Sequence, residues 1–298
     1  MWLRLDLLTH NPTQVMNTSP SVPSQLISLV LGSTGKTGRR IVQQLEALGV
    51  TVRGGSRSAT PIFDWNRESS WDACLHNVDS IYINYAPDLA MPGATDSIQA
   101  LVDRAKMQGI KHLVILSGRG EEEAQACERI VQESGLTWTI VRASWFNQNF
   151  SEGAFYDMVM AGQITLPAGN VTEPFVDVDD IAEVAVAALT DSRHHGQLYE
   201  VTGPELLTFS DVAAELTRAT QRPITYQRVP HEAFVAGAAQ SGAPKDVTWM
   251  LDYLFSTVLD GRNSYLTDGV QRALGRAPTS FSDYAKNFTN SGGWKEAA

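Results

Sequence analysis

Cysteine is nearly absent from this 298-residue chain: Cys74 and Cys127 are its two, far apart and outside any CxxC pair. That excludes a disulfide framework and a structural zinc site. Excess positive charge is absent too. Lys and Arg total 23 against 33 Asp and Glu, a formal net charge of −10, so the basic footprint that a phosphate backbone demands is missing and nucleic acid is not an expected partner. No run of about eighteen apolar residues occurs, so no transmembrane helix and no membrane partner are expected. The opening Met1-Trp2-Leu3-Arg4-Leu5-Asp6-Leu7-Leu8 is broken by Asp6 and lacks the positive flank of a signal peptide. The six histidines, His10, His76, His112, His194, His195 and His231, form no HExxH signature, and no metal is expected. His194-His195 reads as a polar loop. Ser117 lies in Leu116-Ser117-Gly118-Arg119-Gly120 rather than in a GxSxG elbow, which argues against a serine hydrolase. A soluble protein in a reducing, cytoplasmic setting is the expectation these absences leave.

What is present is 43% apolar residues, enough to bury a large core. The first 24 residues, rich in Pro, Ser, Thr and Asn from Asn11 onward, read as a flexible tail, with Met16 as an alternative start. From residue 25 to 150, short apolar runs alternate with helical patterns, the signature of βαβ units and a parallel sheet. Leu26–Leu31, Val50–Arg53, Ser80–Tyr85, His112–Ser117 and Thr137–Arg142 read as strands, and Arg39–Leu48 as a helix closed by Gly49. The expected fold class is α/β, a Rossmann-type doubly wound parallel sheet. Residues 151–298 read as a smaller substrate-binding region, partly interleaved with the first sheet. Within it, Leu198–Val201 is a strand, and a long apolar helix runs over Val247–Leu259 after Pro244. Asp180 reads as a helix N-cap. Glu121-Glu122-Glu123 reads as the acidic first turn of a helix.

One motif carries chemistry. Gly32-Ser33-Thr34-Gly35-Lys36-Thr37-Gly38 has GxxGxxG spacing directly after a strand and before an amphipathic helix. There, backbone N–H groups at a helix N-terminus meet a pyrophosphate, and glycines remove the Cβ atoms that would obstruct it. A nucleoside-triphosphate P-loop would need glycine where Val30 stands, so that reading fails on spacing. After the second strand no carboxylate is positioned for a ribose 2′-hydroxyl. Gly54-Gly55-Ser56-Arg57-Ser58 instead offers a guanidinium and hydroxyls suited to a 2′-phosphate, which favours NADP(H).

Taken with Phe63-Asp64-Trp65, Ser117-Gly118, the stretch Arg142–Phe150 and Pro174–Ala182, this turn resembles the NmrA-like branch of the atypical short-chain dehydrogenase/reductases, from about Leu26 to about Tyr284. Phe63-Asp64-Trp65 and Gly203–Thr208 look like bacterial NAD(P)-binding oxidoreductases and the festuclavine and agroclavine dehydrogenases of ergot-alkaloid pathways. The resemblance implies that Asp64 and Trp65 lie beside the adenine, Tyr85 and Ser117 along the cofactor, and Ala143, Trp145 and Phe146 near the nicotinamide. For Trp65 and Phe146 a plain core role is the alternative.

Short-chain dehydrogenases of the usual kind carry a tyrosine general acid tuned by a lysine four residues later. The segment Gly118–Ser134, where the resemblance would place that pair, holds neither residue. Hydride delivery to an iminium, a quinone or a conjugated carbonyl needs little acid from the protein, so orientation by the pocket suffices. An NADPH-dependent oxidoreductase acting on such a small molecule in secondary metabolism is therefore the expectation, and a non-catalytic NADP(H)-sensing regulator of the NmrA type is the alternative. Substrate contacts are expected from Arg119, Asn149, Trp249 and Tyr253. The last two are read as a pocket wall opposite Trp145 and Phe146, against the plainer reading of a buried packing helix. A homodimer is allowed by this reading.

Overall fold

The computed structural model describes residues 26–295; the expected tail and Met16 lie outside them. The chain runs β1 (Ile27–Leu31), α1 (Lys36–Ala47), β2 (Thr51–Gly55), α2 (Trp71–Leu75), β3 (Ser80–Ile83), α3 (Ala94–Met107), β4 (His112–Gly118), α4 (Glu122–Gln132) and β5 (Thr137–Ala143). It continues through α5 (Tyr156–Met160), β6 (Gln163–Leu166), α6 (Val178–Thr190), β7 (Gln197–Val201), α7 (Phe209–Thr220) and β8 (Thr225–Arg228). It closes with α8 (His231–Gln240), α9 (Lys245–Tyr253), α10 (Gly269–Leu274) and α11 (Phe281–Asn290).

Six parallel strands form the main sheet in the order β2-β1-β3-β4-β5-β7. Helices cover both of its faces, so the inner strands are buried on two sides and read as unbroken apolar runs rather than alternating ones. On one face Leu29, Ile81, Leu113 and Ile140 pack with Ile98 and Leu101 of α3 and Val131 of α4. On the other, Val30, Tyr82, Val114 and Val141 meet Ile41 and Leu45 of α1 and Ile181 and Val184 of α6. This is the Rossmann-type, doubly wound arrangement. Its strand order reverses at β1, between β2 and β3, where such sheets bind ligands beyond their carboxyl ends. β7, from beyond residue 150, pairs in parallel with β5, while β6 and β8 make a separate two-stranded sheet over an aromatic core that includes Phe150, Phe175, Phe209 and Phe281.

Three polar readings are corrected by packing. The N-cap of α6 is Asp177, whose side chain accepts from the Asp179 N–H at 2.8 Å. Asp180 is fully buried, accepts from the N–H and hydroxyl of Thr279 at 2.7 and 3.0 Å, and pairs with Arg276. His194 is not a solvated loop residue but is buried against the Tyr199 hydroxyl at 2.7 Å. Glu122 and Glu123 do begin α4, but Glu121 is buried. Sequence periodicity could see none of these, because each is set by how side chains pack rather than by spacing along the chain.

Candidate functional site: a cavity at the strand ends

The loop after β1 folds tightly because of its glycines. Gly32 adopts a left-handed φ of +68°, and its carbonyl accepts from the Gly35 N–H at 2.8 Å. A Cβ on Gly38 would come within 2.1 Å of the Gly32 carbonyl oxygen, so only glycine lets the first turn of α1 sit against this loop. A Cβ on Gly32 would crowd the Asn84 side chain at 2.8 Å. The result is a bare cradle of the kind a pyrophosphate requires at a helix N-terminus. Ser33 and Thr34 line the turn; Thr34 is exposed. Thr37 faces inward instead, accepting a 3.0 Å hydrogen bond from the Tyr82 hydroxyl.

Beside the cradle lies a cavity of about 480 Å³. Its floor is Ser117 and Gly118 at the end of β4, and Ala143 to Phe146 at and just beyond the end of β5. Asn84, Tyr85 and Asp88 follow β3 into one wall, and Lys36 and Asn149 form another. The Lys36 ammonium donates to the Asn149 Oδ1 at 3.4 Å; burial lowers its pKa, with the Glu152 carboxylate acting against that shift. Arg40 spans from α1 to Glu152 at 2.7 Å and Asp179 at 2.5 Å, fixing the second half of the chain against the cradle.

The remaining expected residues sit in two groups. Asp64 and Trp65 lie outside the cavity lining: Asp64 shapes a turn by accepting from the Asn66 N–H, and Trp65 donates to the Asn84 carbonyl at 3.2 Å while touching Phe63, Trp71 and Tyr85. Arg57 is exposed past β2, with no hydrogen bond or ion pair among the described residues, whereas Arg53 is held by the Cys74 and His76 carbonyls.

The structure places the other residues expected to touch substrate as follows. Arg119 contributes to the cavity wall, but its guanidinium is taken up by Glu200 at 2.5 Å, Ser144 at 3.2 Å and the Asn263 and Tyr265 carbonyls at 3.1 Å. It ties strand ends together, with four of its five N–H donors engaged by the protein. Trp249 and Tyr253 do not line the cavity; they stack on each other on the outer face of α9, with Trp249 37% exposed and the Tyr253 hydroxyl donating to Glu123 at 2.9 Å. The helix does roof the cavity, through Met250, Leu251 and Leu254, with Phe255 in the π-helical turn that follows. The helix read over Val247–Leu259 is α9 followed by that π-helical turn: no residue of α9 is buried, whereas Phe255, Val258 and Leu259 are.

Asn84, Asp88, Glu121, Met250, Leu251 and Leu254 are cavity residues that sequence reasoning missed. For α9 the signal was present: Met250 and Leu254 repeat at four-residue spacing as Trp249 and Tyr253 do, and only packing decides which pair faces in.

The comparisons agree with this geometry. Agroclavine dehydrogenase of Claviceps fusiformis is 30% identical over 285 residues, covering 88% of this chain and 97% of that one. An NAD(P)H azoreductase of Xenophilus azovorans is 28% identical, covering 87% and 96%. Among solved structures, triphenylmethane reductase of Citrobacter sp., complexed with NADP(H), superposes with a TM-score of 0.72 at 19% identity, covering 88% of this chain and 99% of that one. The profile of the NmrA-like family matches residues 24–257, from the start of β1 through the helix that roofs the cavity, and this chain belongs to that family.

Proposed function

We propose that this protein is an NADPH-dependent oxidoreductase that reduces a flat, conjugated small molecule, an iminium, a quinone or a conjugated carbonyl, without a tyrosine–lysine acid pair. The observation that carries the reading is a cavity with aromatic and aliphatic side chains in its floor and roof that abuts, at Lys36 and Asn84, a glycine cradle whose close approaches no Cβ would tolerate. NADPH when bound supplies the hydride. The chain supplies the rest. Backbone amides at the start of α1 bind pyrophosphate, while Arg57 with Ser56 and Ser58 is placed to meet a 2′-phosphate. Ala143, Trp145 and Phe146 give an apolar wall beside the nicotinamide, and Leu251, Leu254 and Phe255 exclude water and hold the acceptor flat. Relatives named as an NAD(P)H azoreductase and an agroclavine dehydrogenase support a reductase of small organic molecules.

The test is NADPH oxidation across a panel of quinones, azo dyes, enones and cyclic iminium ions. Turnover with at least one class is expected. No turnover with any, together with tight discrimination between NADPH and NADP⁺ by calorimetry, would replace this reading with that of a redox-sensing regulator.

A further inference from the structure

One wall of the cavity holds two carboxyl groups that the cradle does not use. Asp88 follows β3 and Glu121 immediately precedes α4, and both line the cavity. Glu121 is only 7% exposed, and its carboxyl lies over Gly118, where a Cβ would come within 2.1 Å of Oε2. Glycine at 118 is therefore what makes room for an acid at this strand end. Glu121 Oε2 is buried with no hydrogen-bond partner, and so is the Ser117 hydroxyl on the same strand. Buried polar atoms are almost always paired, so two orphans in one cavity wall mark a place where a polar ligand atom completes the set.

The charges around the pair decide its protonation. Asp88 faces Glu121 from the β3 loop, Glu123 acts on it from α4, and Tyr253 approaches from α9. The cations nearby are engaged elsewhere: Arg262 pairs with Asp260 and donates to the Gly120 carbonyl, and Arg119 pairs with Glu200. Burial first, and then the Asp88 charge, raise Glu121 well above the usual carboxylate range. Burial raises Asp88 as well, but a 2.9 Å hydrogen bond from the Ala90 N–H holds it back. Two neighbouring carboxyls in a buried site resist ionising together, and burial favours the neutral form at Glu121.

We propose that Glu121, with the Asp88 carboxyl beside it, is the proton donor of the reduction and stands in for the absent tyrosine. The inference rests on the reductase reading above. A neutral quinone or enone that receives a hydride gains two electrons and becomes an anion at its oxygen. The Glu121 O–H bond then breaks, its proton forms the new O–H bond of the product, and the bonding pair stays on the carboxylate. Solvent restores the proton to the pair after product release. A cationic acceptor is neutralised by hydride alone and needs no proton.

Glu121→Gln keeps the shape and removes the proton. Infrared spectra of the cofactor-free protein should show a protonated-carboxyl band at neutral pH that is lost in this variant. With menadione and N-methylacridinium as neutral and cationic acceptors, the ratio of their kcat values should fall about a hundredfold or more in the variant, the scale of general-acid catalysis. A fully ionised pair at neutral pH, or an unchanged ratio, would overturn the acid role. Failure of the wild-type protein to reduce either acceptor would overturn the reductase reading and the acid role with it, whatever the infrared band shows.

Discussion

Single side chains carry the choice of cofactor. Arg39, Arg40 and Arg53 all lie near the cradle in sequence, yet each is engaged: Arg39 and Arg40 with Glu152, Arg53 with backbone carbonyls. Arg57 alone of these four stands exposed with no partner among the described residues. A guanidinium with no internal partner at the end of β2 gives a 2′-phosphate charge-assisted hydrogen bonds that a 2′-hydroxyl cannot match. Arg57→Asp should therefore cut the preference for NADPH over NADH by roughly 1.5 to 3 kcal/mol, the worth of hydrogen bonds to charged groups. Calorimetric titration with both dinucleotides reads it directly; an unchanged ratio would remove Arg57 from the site. The functional assignment of Arg57 needed only its position after a strand and the lack of a neighbouring carboxylate, both visible in the sequence. The engagement of Arg119 was not legible there, because its partner Glu200 lies 81 residues away on β7.

At the scale of elements, α9 shows how a correct helix can be read with the wrong face inward. Its apolar residues occupy more than one stripe, and periodicity alone ranks large aromatics as the buried ones. The structure places Trp249 and Tyr253 outside, where two rings 5.3 Å apart shield each other and the Tyr253 hydroxyl reaches Glu123 of α4. Tyrosine and tryptophan tolerate such half-exposed positions because their polar ends stay satisfied. Leu254→Ala should enlarge the cavity and raise KM for small flat acceptors several-fold, at a stability cost of about 2 kcal/mol for a half-buried leucine. Trp249→Ala should cost about 1 kcal/mol or less and leave KM unchanged. Chemical denaturation and steady-state kinetics on both variants check this, and a KM shift confined to Trp249→Ala would reverse the assignment of faces.

The molecule as a whole joins its two halves through buried polar groups, and these set its response to pH. Glu173 is 1% exposed, and neither carboxylate oxygen has a hydrogen bond of good geometry. Burial dominates and pushes its pKa up to about 7 from 4.5, against the opposing pull of Arg119, the Trp145 N–H and Ser144. The folded chain thus holds this proton more tightly than the unfolded chain. Its contribution to stability is full below pH 4.5 and is lost as pH rises to about 7, on the order of 3 kcal/mol in all. Glu173→Gln carries no such titration. Urea denaturation at stepped pH should show the stability of this variant, relative to the wild-type chain, climbing through that window and levelling above it, and a flat difference would place the Glu173 pKa near that of an exposed carboxyl.

The parallel sheet and the glycine turn were legible along the chain because their causes are local. A strand buried on two faces must be apolar throughout, and a first helical turn where a Cβ would come within 2.1 Å of a carbonyl oxygen must carry glycine at that position. The missing tyrosine and lysine between Gly118 and Ser134 were likewise a matter of reading residues in order. What only the tertiary structure decided was the environment of each polar group: that Glu121 is buried beside Asp88, that Asp180 is held by Thr279 and Arg276, and that α9 turns Leu254 inward. Burial and charge pairing arise from segments that meet only after folding, and desolvation acts on a carboxyl according to what surrounds it rather than what precedes it.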